Sequence, residues 1–224
     1  EQAGINIGIG IATGRDAVFI TEDPTIVEPD RLTPLFYMRD WRRGKRDRQK
    51  WLINPWAKNG QLIDLHDYPL TQEYFEAHRE ELSSRHIAKK NKHAWYRTID
   101  KIKPGLQNTP KLLLPDLAPN CEPVFEDGHK YPHHNCYWIT SNTWDLQALG
   151  GLLISNMTNE TIKSLGVKMR GGTLRFQAQY LRKLHVPTAE SLTKQQEQNL
   201  IEAFNKNDRD LATKTTNQIY GIEA

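Results

Sequence analysis

The chain has 224 residues, 38% hydrophobic and 25% charged, with a net charge of +3. That length suits one sizeable domain or two small ones with a buried core, and 14 glycines with 12 prolines exclude a collagen-like or low-complexity chain. No apolar run approaches the roughly 18 residues of a membrane span, and Glu1 to Gly4 lack the basic and apolar regions of a secretory signal. Without Met at position 1, the chain reads as a piece of a longer protein. Cys121 and Cys136 are too few for a disulfide scaffold, so a reducing, cytoplasmic setting is expected.

In chain order, Ile5, Ile7, Ile9 and Ile11 alternate with Asn6, Gly8 and Gly10, which is the period of a strand. After the turn Thr13-Gly14-Arg15-Asp16, residues 17–20 read as a second strand, and 51–54 as another ended by Pro55. The clearest helix is expected from 71 to about 90. Thr71 would be its N-cap, with Leu70 and Phe75 at the spacing of a hydrophobic staple. Glu73, Glu76, Glu80 and Glu81 lead and Arg85, Lys89 and Lys90 close, as the helix dipole prefers. Strands follow over 111–114 and 136–140. A helix is expected over 143–155, with Leu146, Leu149, Leu152 and Leu153 on its buried side.

Gly166, Gly171 and Gly172 punctuate the next stretch. A short helix or strand over 174–182 follows, then a segment stopped by Pro187. Thr193 and Gln196 form a capping box ahead of a helix with Leu200, Ile201 and Phe204 on one face, and a second helix starts at Asp208. The expected fold class is α+β: a mixed or antiparallel sheet with packed helices over 1–189, followed by a C-terminal helical hairpin over 190–224.

The modest net charge hides a segregation. Residues 39–50 carry +5, 85–103 carry +6 and 163–183 carry +6, leaving −14 on the other 172 residues. Aromatics interleave with these blocks: Trp41 and Trp51 at the first, Trp95 and Tyr96 in the second, Phe176 and Tyr180 in the third. Basic side chains with aromatics among them point to a polyanion as partner, since Arg and Lys reach phosphates, Arg reads guanine edges and aromatic faces stack on bases. Three separate solvated surfaces would have the same composition. Trp41, Trp51, Trp56, Trp138 and Trp144 read as core rather than stacking residues.

Other chemistry is weaker. Gly8, Gly10 and Gly14 have the spacing of neither a dinucleotide loop nor a P-loop, and a strand rather than a helix is expected after them. Asn54-Pro55-Trp56 lacks the second proline of the (Asn/Asp)-Pro-Pro-aromatic signature of amino-methylating DNA enzymes. Cys121, His129, His133, His134 and Cys136 lie within 16 residues and are candidate zinc ligands, though no CxxC pair is among them. Asp116, Glu126, Asp127 and Lys130 hint at a metal nuclease without its (Asp/Glu)-x-Lys spacing. No serine elbow and no HExxH is present, so the chain carries no recognisable catalytic motif.

The order of the motifs resembles one family. The stretch Ile7–Ile20, with Gly8, Thr13, Gly14, Asp16 and Phe19, is similar to the opening GxxTGxdxxFi segment of the C-terminal target-recognition domain of gamma-type N6-adenine DNA methyltransferases of restriction–modification systems. Leu35 to Trp41, then Trp51 to Trp56 with Tyr68-Pro69 through Arg85, resemble the segments that follow in that domain. So do Trp95-Tyr96-Arg97, Pro110 to Asp116, Asn135 to Ile139, Leu152 to Asn156, and Arg170 to Phe176 with Val186-Pro187. The match spans roughly residues 5–190 and continues weakly beyond.

The resemblance implies a module that grips duplex DNA and presents one adenine to an N-terminal methyltransferase domain of the same parent chain. That parent would be a site-specific adenine-N6 methyltransferase using S-adenosylmethionine; no cofactor and no metal is expected in this fragment, nor any membrane. Expected phosphate contacts are Lys45, Arg46, Lys89, Lys90 and Lys92. Expected base or groove contacts are Arg42, Arg43, Arg170 and Arg175, with Gly171 and Gly172 allowing the backbone to approach. The alternatives are a single-strand or RNA-binding module using the same blocks, or a metal enzyme built on the Cys/His cluster.

Overall fold

The computed structural model describes residues 4–165 and 172–222. Its strands are β1 (Ile5–Ile9), β2 (Ile20–Thr21), β3 (Leu32–Phe36), β4 (Lys50–Ile53), β5 (Lys111–Pro115), β6 (Leu117–Ala118), β7 (Val124–Glu126), β8 (Tyr131–Pro132), β9 (Cys136–Ser141) and β10 (Leu174–Arg175). Its helices are α1 (Asp16–Phe19), α2 (Met38–Arg42), α3 (Pro69–Ala77), α4 (Arg79–Ser83), α5 (His86–Lys90), α6 (Leu146–Ile154), α7 (Asn156–Leu165), α8 (Ala178–Leu181), α9 (Lys194–Lys206) and α10 (Arg209–Tyr220). The expected α+β class is what forms. None of the described helices is long and apolar enough to cross a membrane.

The chain divides into two compact units. One gathers residues up to Ile9, Thr109–Gly128 and everything from Asn135 onward; the other holds Gly10–Asn108 and His129–His134.

In the first unit the sheet order is β1-β9-β5-β7, antiparallel throughout. The expected first strand forms, with Ile7 opposite Ile139 and Gly8 opposite Trp138, though Ile9 at its end is exposed. Gly8 is required there. A Cβ would lie 2.2 Å from the Trp138 ring, whose Nε1 donates to the Ile9 carbonyl at 2.9 Å. The core joins Leu112, Leu114, Ile139, Leu149, Leu152, Phe176 and Leu200. Helix α6 is apolar on nearly every side because it is buried from Ala148 to Ile154. Its Gly150 and Gly151 admit the Phe204 ring and the Leu200 carbonyl, which a Cβ would meet at 2.6 and 2.1 Å.

The C-terminal hairpin forms as its sequence dictates. Thr193 and Gln196 make the reciprocal capping box, Asn207 turns the chain in the left-handed region and Asp208 caps α10. Inside the unit Lys111 and Glu126, cross-strand neighbours, form a buried ion pair.

In the second unit β2-β4-β3-β8 form a sheet, antiparallel except for the short parallel pairing of β3 with β8. Phe19, Leu52, Ile53, Phe75 and Leu82 are fully buried in it.

Three expectations are corrected here. Residues 17–20 are not a strand: Asp16–Phe19 is one helical turn, and the strand is only Ile20–Thr21. Val18 and Phe19 are consecutive and both buried, which one face of a strand cannot achieve. Nor is there one helix from 71 to about 90. Three short helices, α3, α4 and α5, replace it, with breaks at His78 and at Ser84-Arg85.

Arg85 explains the second break. Its backbone is extended, and its guanidinium donates to the carbonyls of Thr13, Trp95 and Arg97 at 2.7–3.1 Å. Thr71 is not the N-cap either. The helix starts at Pro69 after Tyr68, and the Glu28 carboxylate accepts from the N–H groups of Leu70 and Thr71 and from the Thr71 hydroxyl at 2.6–3.0 Å. An acid 43 residues away in sequence thus does the work of a local cap.

Candidate nucleic-acid interface

The first basic block sits on α2 and the turn after it. Asp40, buried at the centre of α2, organises this turn. Its carbonyl accepts from the Arg43 and Lys45 N–H groups at 3.1 and 2.9 Å, and its carboxylate pairs with Lys50 at 2.8 Å. Gly44 reverses the chain at φ +72°. The consequence is a tight turn that turns Arg42, Arg43, Lys45, Arg46 and Arg48 outward, all exposed. Arg48 pairs with Glu22 at 2.6 Å. Arg43, Lys45 and Arg46 have no carboxylate partner among the described residues. The Arg46 guanidinium instead lies 4.4 Å from the centre of the Trp41 ring.

The second block divides into struts and free charge. Arg85 is the strut described above, and burial beside the Arg97 charge lowers its pKa. Arg97 and Lys101 lie over Trp56 at 5.3 and 5.2 Å. Lys89 and Lys90 close α5 and Lys92 begins the next turn. All three are exposed and lack an acidic partner among the described residues.

The third block belongs to the other unit, and most of its described cations are engaged. Lys163 pairs with Glu160 at 2.6 Å, Arg182 donates to the Ile7 carbonyl at 2.7 Å, and Arg175 lies 3.5 Å from the Asp116 carboxylate. Gly172 has φ +74° and open space where a Cβ would stand. Arg170 and Gly171 lie outside the described residues. Of the tryptophans expected in the core, Trp56, Trp138 and Trp144 are buried while Trp41 and Trp51 are partly open, and Trp95 of the second basic block is buried as well. Phe176 is fully buried, so it offers no stacking surface.

The Cys/His cluster does not assemble as proposed from spacing. Cys121 and Cys136 are buried in the first unit, while His129, His133 and His134 belong to the second. Among the described residues one potential ligand group forms: Asp16 with His133 and His134, their ligand atoms within 4.8 Å of one another. Asp16 was not among the sequence-based candidates. Its partner His133 lies 117 residues away, so no local pattern exposes it. Both its oxygens are already used. One accepts from the Thr13 hydroxyl at 2.6 Å and the other meets His133 Nε2 at 3.0 Å. Burial pushes the Asp16 carboxyl up, but the His133 and Thr13 hydrogen bonds and the charge of both histidines outweigh it and hold it at about 2.

The glycine-rich opening is filled rather than hollow. Gly8 lies under Trp138, and a Cβ on Gly10 would meet the His133 carbonyl at 2.1 Å.

The fold recurs in parts of two larger chains of known structure. The type IIL restriction–modification enzyme MmeI, solved in complex with DNA, matches with a TM-score of 0.71 and 13% identity over 98% of this chain and 33% of its own. The type IIG restriction endonuclease BpuSI matches with a TM-score of 0.56 and 11% identity over 92% of this chain and 26% of its own. No protein-family model matches the chain.

Sequence relatives are more particular. The type II methyltransferase M.XhoI of Xanthomonas vasicola is 45% identical over 99% of this chain, and M.PaeR7I of Pseudomonas aeruginosa 43% identical over 99%. M.BstVI of Geobacillus stearothermophilus is 42% identical over 88%. The chain spans only 41%, 39% and 35% of these three relatives. It is therefore homologous to a part of the type II methyltransferases.

Proposed function

We propose that this chain is the DNA target-recognition module of a type II methyltransferase, binding duplex DNA and setting one adenine before a catalytic domain N-terminal to it in the parent chain. Supporting this are the relatives' 42–45% identity and, above all, the exposed cations Arg43, Lys45, Arg46, Lys89, Lys90 and Lys92, which no carboxylate neutralises among the described residues. Surface lysines and arginines held without acids keep their full charge for phosphates.

In this reading Lys45, Arg46, Lys89, Lys90 and Lys92 hold phosphates. Arg42, Arg43, Arg170 and Arg175 serve the groove, Arg175 by exchanging the Asp116 carboxylate for a base edge, and Gly171 and Gly172 allow the backbone to approach. The catalytic part of the parent supplies S-adenosylmethionine binding and methyl transfer to adenine N6, in the bacterial cytoplasm where its DNA lies. This chain's own share is to bind, orient and hold the duplex while the target base leaves the stack.

The test is fluorescence anisotropy of the chain with a labelled duplex over a range of salt. The expected affinity falls with a slope of about −0.9 in log–log form for each phosphate neutralised. A flat response overturns the reading, and stronger competition by single-stranded oligonucleotides than by duplex favours the single-strand alternative.

A further inference from the structure

The α2 turn encloses more than exposed charge. Tyr37, Trp41, Lys45, Arg46, Arg48 and Lys130 line a shallow, solvent-open cleft. Lys130 reaches it from the segment just before β8, which pairs in parallel with β3. The cleft is therefore built from sequence positions more than 80 residues apart, and local pattern does not reveal it. Asp40 also lines it, but its carboxylate is matched by Lys50 at 2.8 Å. Arg48 is matched by Glu22. The charge of Lys45 and Arg46 has no such counterweight among the described residues.

The geometry points to this cleft as a built phosphate site that takes one phosphodiester of the DNA backbone, with Arg46 and Lys45 as its principal donors and Lys130 as the third. The inference rests on the duplex reading and names the group that this part of the surface holds. Trp41 is the positioning residue. Its ring supports the Arg46 guanidinium at 4.4 Å, so the fork is ordered before any anion arrives and loses less freedom on binding. The buried Asp40–Lys50 pair and the two N–H bonds to the Asp40 carbonyl keep the turn rigid around it. A phosphate site contacts no base edge, so it contributes equally to every DNA sequence.

The experiment compares the full chain with R46A, K130A, W41L and W41Y, each checked for an unchanged thermal melt. Lys206→Ala, whose lysine pairs with Glu202 on α9, is the control. Duplex affinity is measured against salt on two duplexes of unrelated sequence. In parallel, the Trp41 indole resonance is followed by NMR during titration with inorganic phosphate.

The expected result is a slope reduced by about 0.9 for R46A and for K130A, the same loss on both duplexes, a partial loss for W41L that W41Y restores, and a phosphate-dependent shift of the Trp41 indole in the wild type and in K206A that R46A abolishes. Wild-type binding with unchanged slopes in R46A and K130A overturns the cleft and leaves the duplex reading standing. A loss confined to one of the two duplexes also overturns it, since that is base reading. No duplex binding together with a Trp41 shift that R46A abolishes keeps the anion site and overturns the duplex reading; neither signal overturns both.

Discussion

Asp16 shows how one side chain ties distant stretches of the second unit. It accepts from Thr13 at the turn and from His133 near β8, and its carboxyl is held at about 2 against an ordinary 3.8. A depressed carboxylate pKa stabilises the fold above its unfolded value, and the contribution is lost as pH falls through the folded value. The window is therefore about pH 4 down to about 2. With roughly a third of the side chain in solvent, screening reduces the contribution to about 1 kcal/mol. Asp16→Asn is expected to lower the urea midpoint at pH 7 and to converge on the wild type at pH 2. An equal gap at both pH values contradicts the account.

Gly8 carries a steric requirement of the same scale. The Trp138 ring above it is buried and hydrogen-bonded to Ile9, so it has no room to yield. Gly8→Ala is expected to cost about 1–3 kcal/mol in chemical denaturation; a neutral result means that the indole moves.

At the level of elements, the deviations from local reading share one cause. The 71–90 stretch has a helical charge pattern along its whole length, and propensity alone carries it through. Tertiary hydrogen bonds divide it: the Glu28 carboxylate fixes its start and the Arg85 guanidinium turns the chain before α5. Thr193 and Asp208 cap their helices from within the same few residues, and these starts are legible in sequence. Glu28 and Arg85 act across 42 and 72 residues and are not. Glu28→Gln weakens the charged acceptor at the start of α3 and is expected to lower stability by about 1 kcal/mol. Thermal unfolding at neutral pH measures it, and an unchanged midpoint shows that α3 does not rely on that carboxylate.

Across the molecule, what matters is which cations remain unpaired. Equal blocks in sequence are unequal in structure. In the first two, Arg43, Lys45, Arg46, Lys89, Lys90 and Lys92 stand exposed with no acidic partner among the described residues, whereas Lys163, Arg175 and Arg182 of the third are engaged. Replacing Lys89, Lys90 and Lys92 together with Gln is expected to reduce the salt slope of duplex binding by up to about 2.7, with the same loss on any sequence. Lys163→Gln, removing a charge already held by Glu160, is expected to leave the slope unchanged. If the two variants behave alike, pairing does not decide which cations bind.

The amino-acid pattern by itself determined the α+β class, the first strand, the strands over 111–114 and 136–140, the capped C-terminal hairpin and the concentration of charge in three blocks. Each rests on periodicity, capping or composition within a short window, where nearest neighbours dominate the energy. Only the tertiary structure decided that Asp16 meets His133, that the cysteines and histidines part company, that Arg85 is a strut, and that Lys130 joins Arg46 at one cleft. Those outcomes depend on side chains brought together by strand pairing and burial, and the free energy of such contacts is set by neighbours far away along the chain.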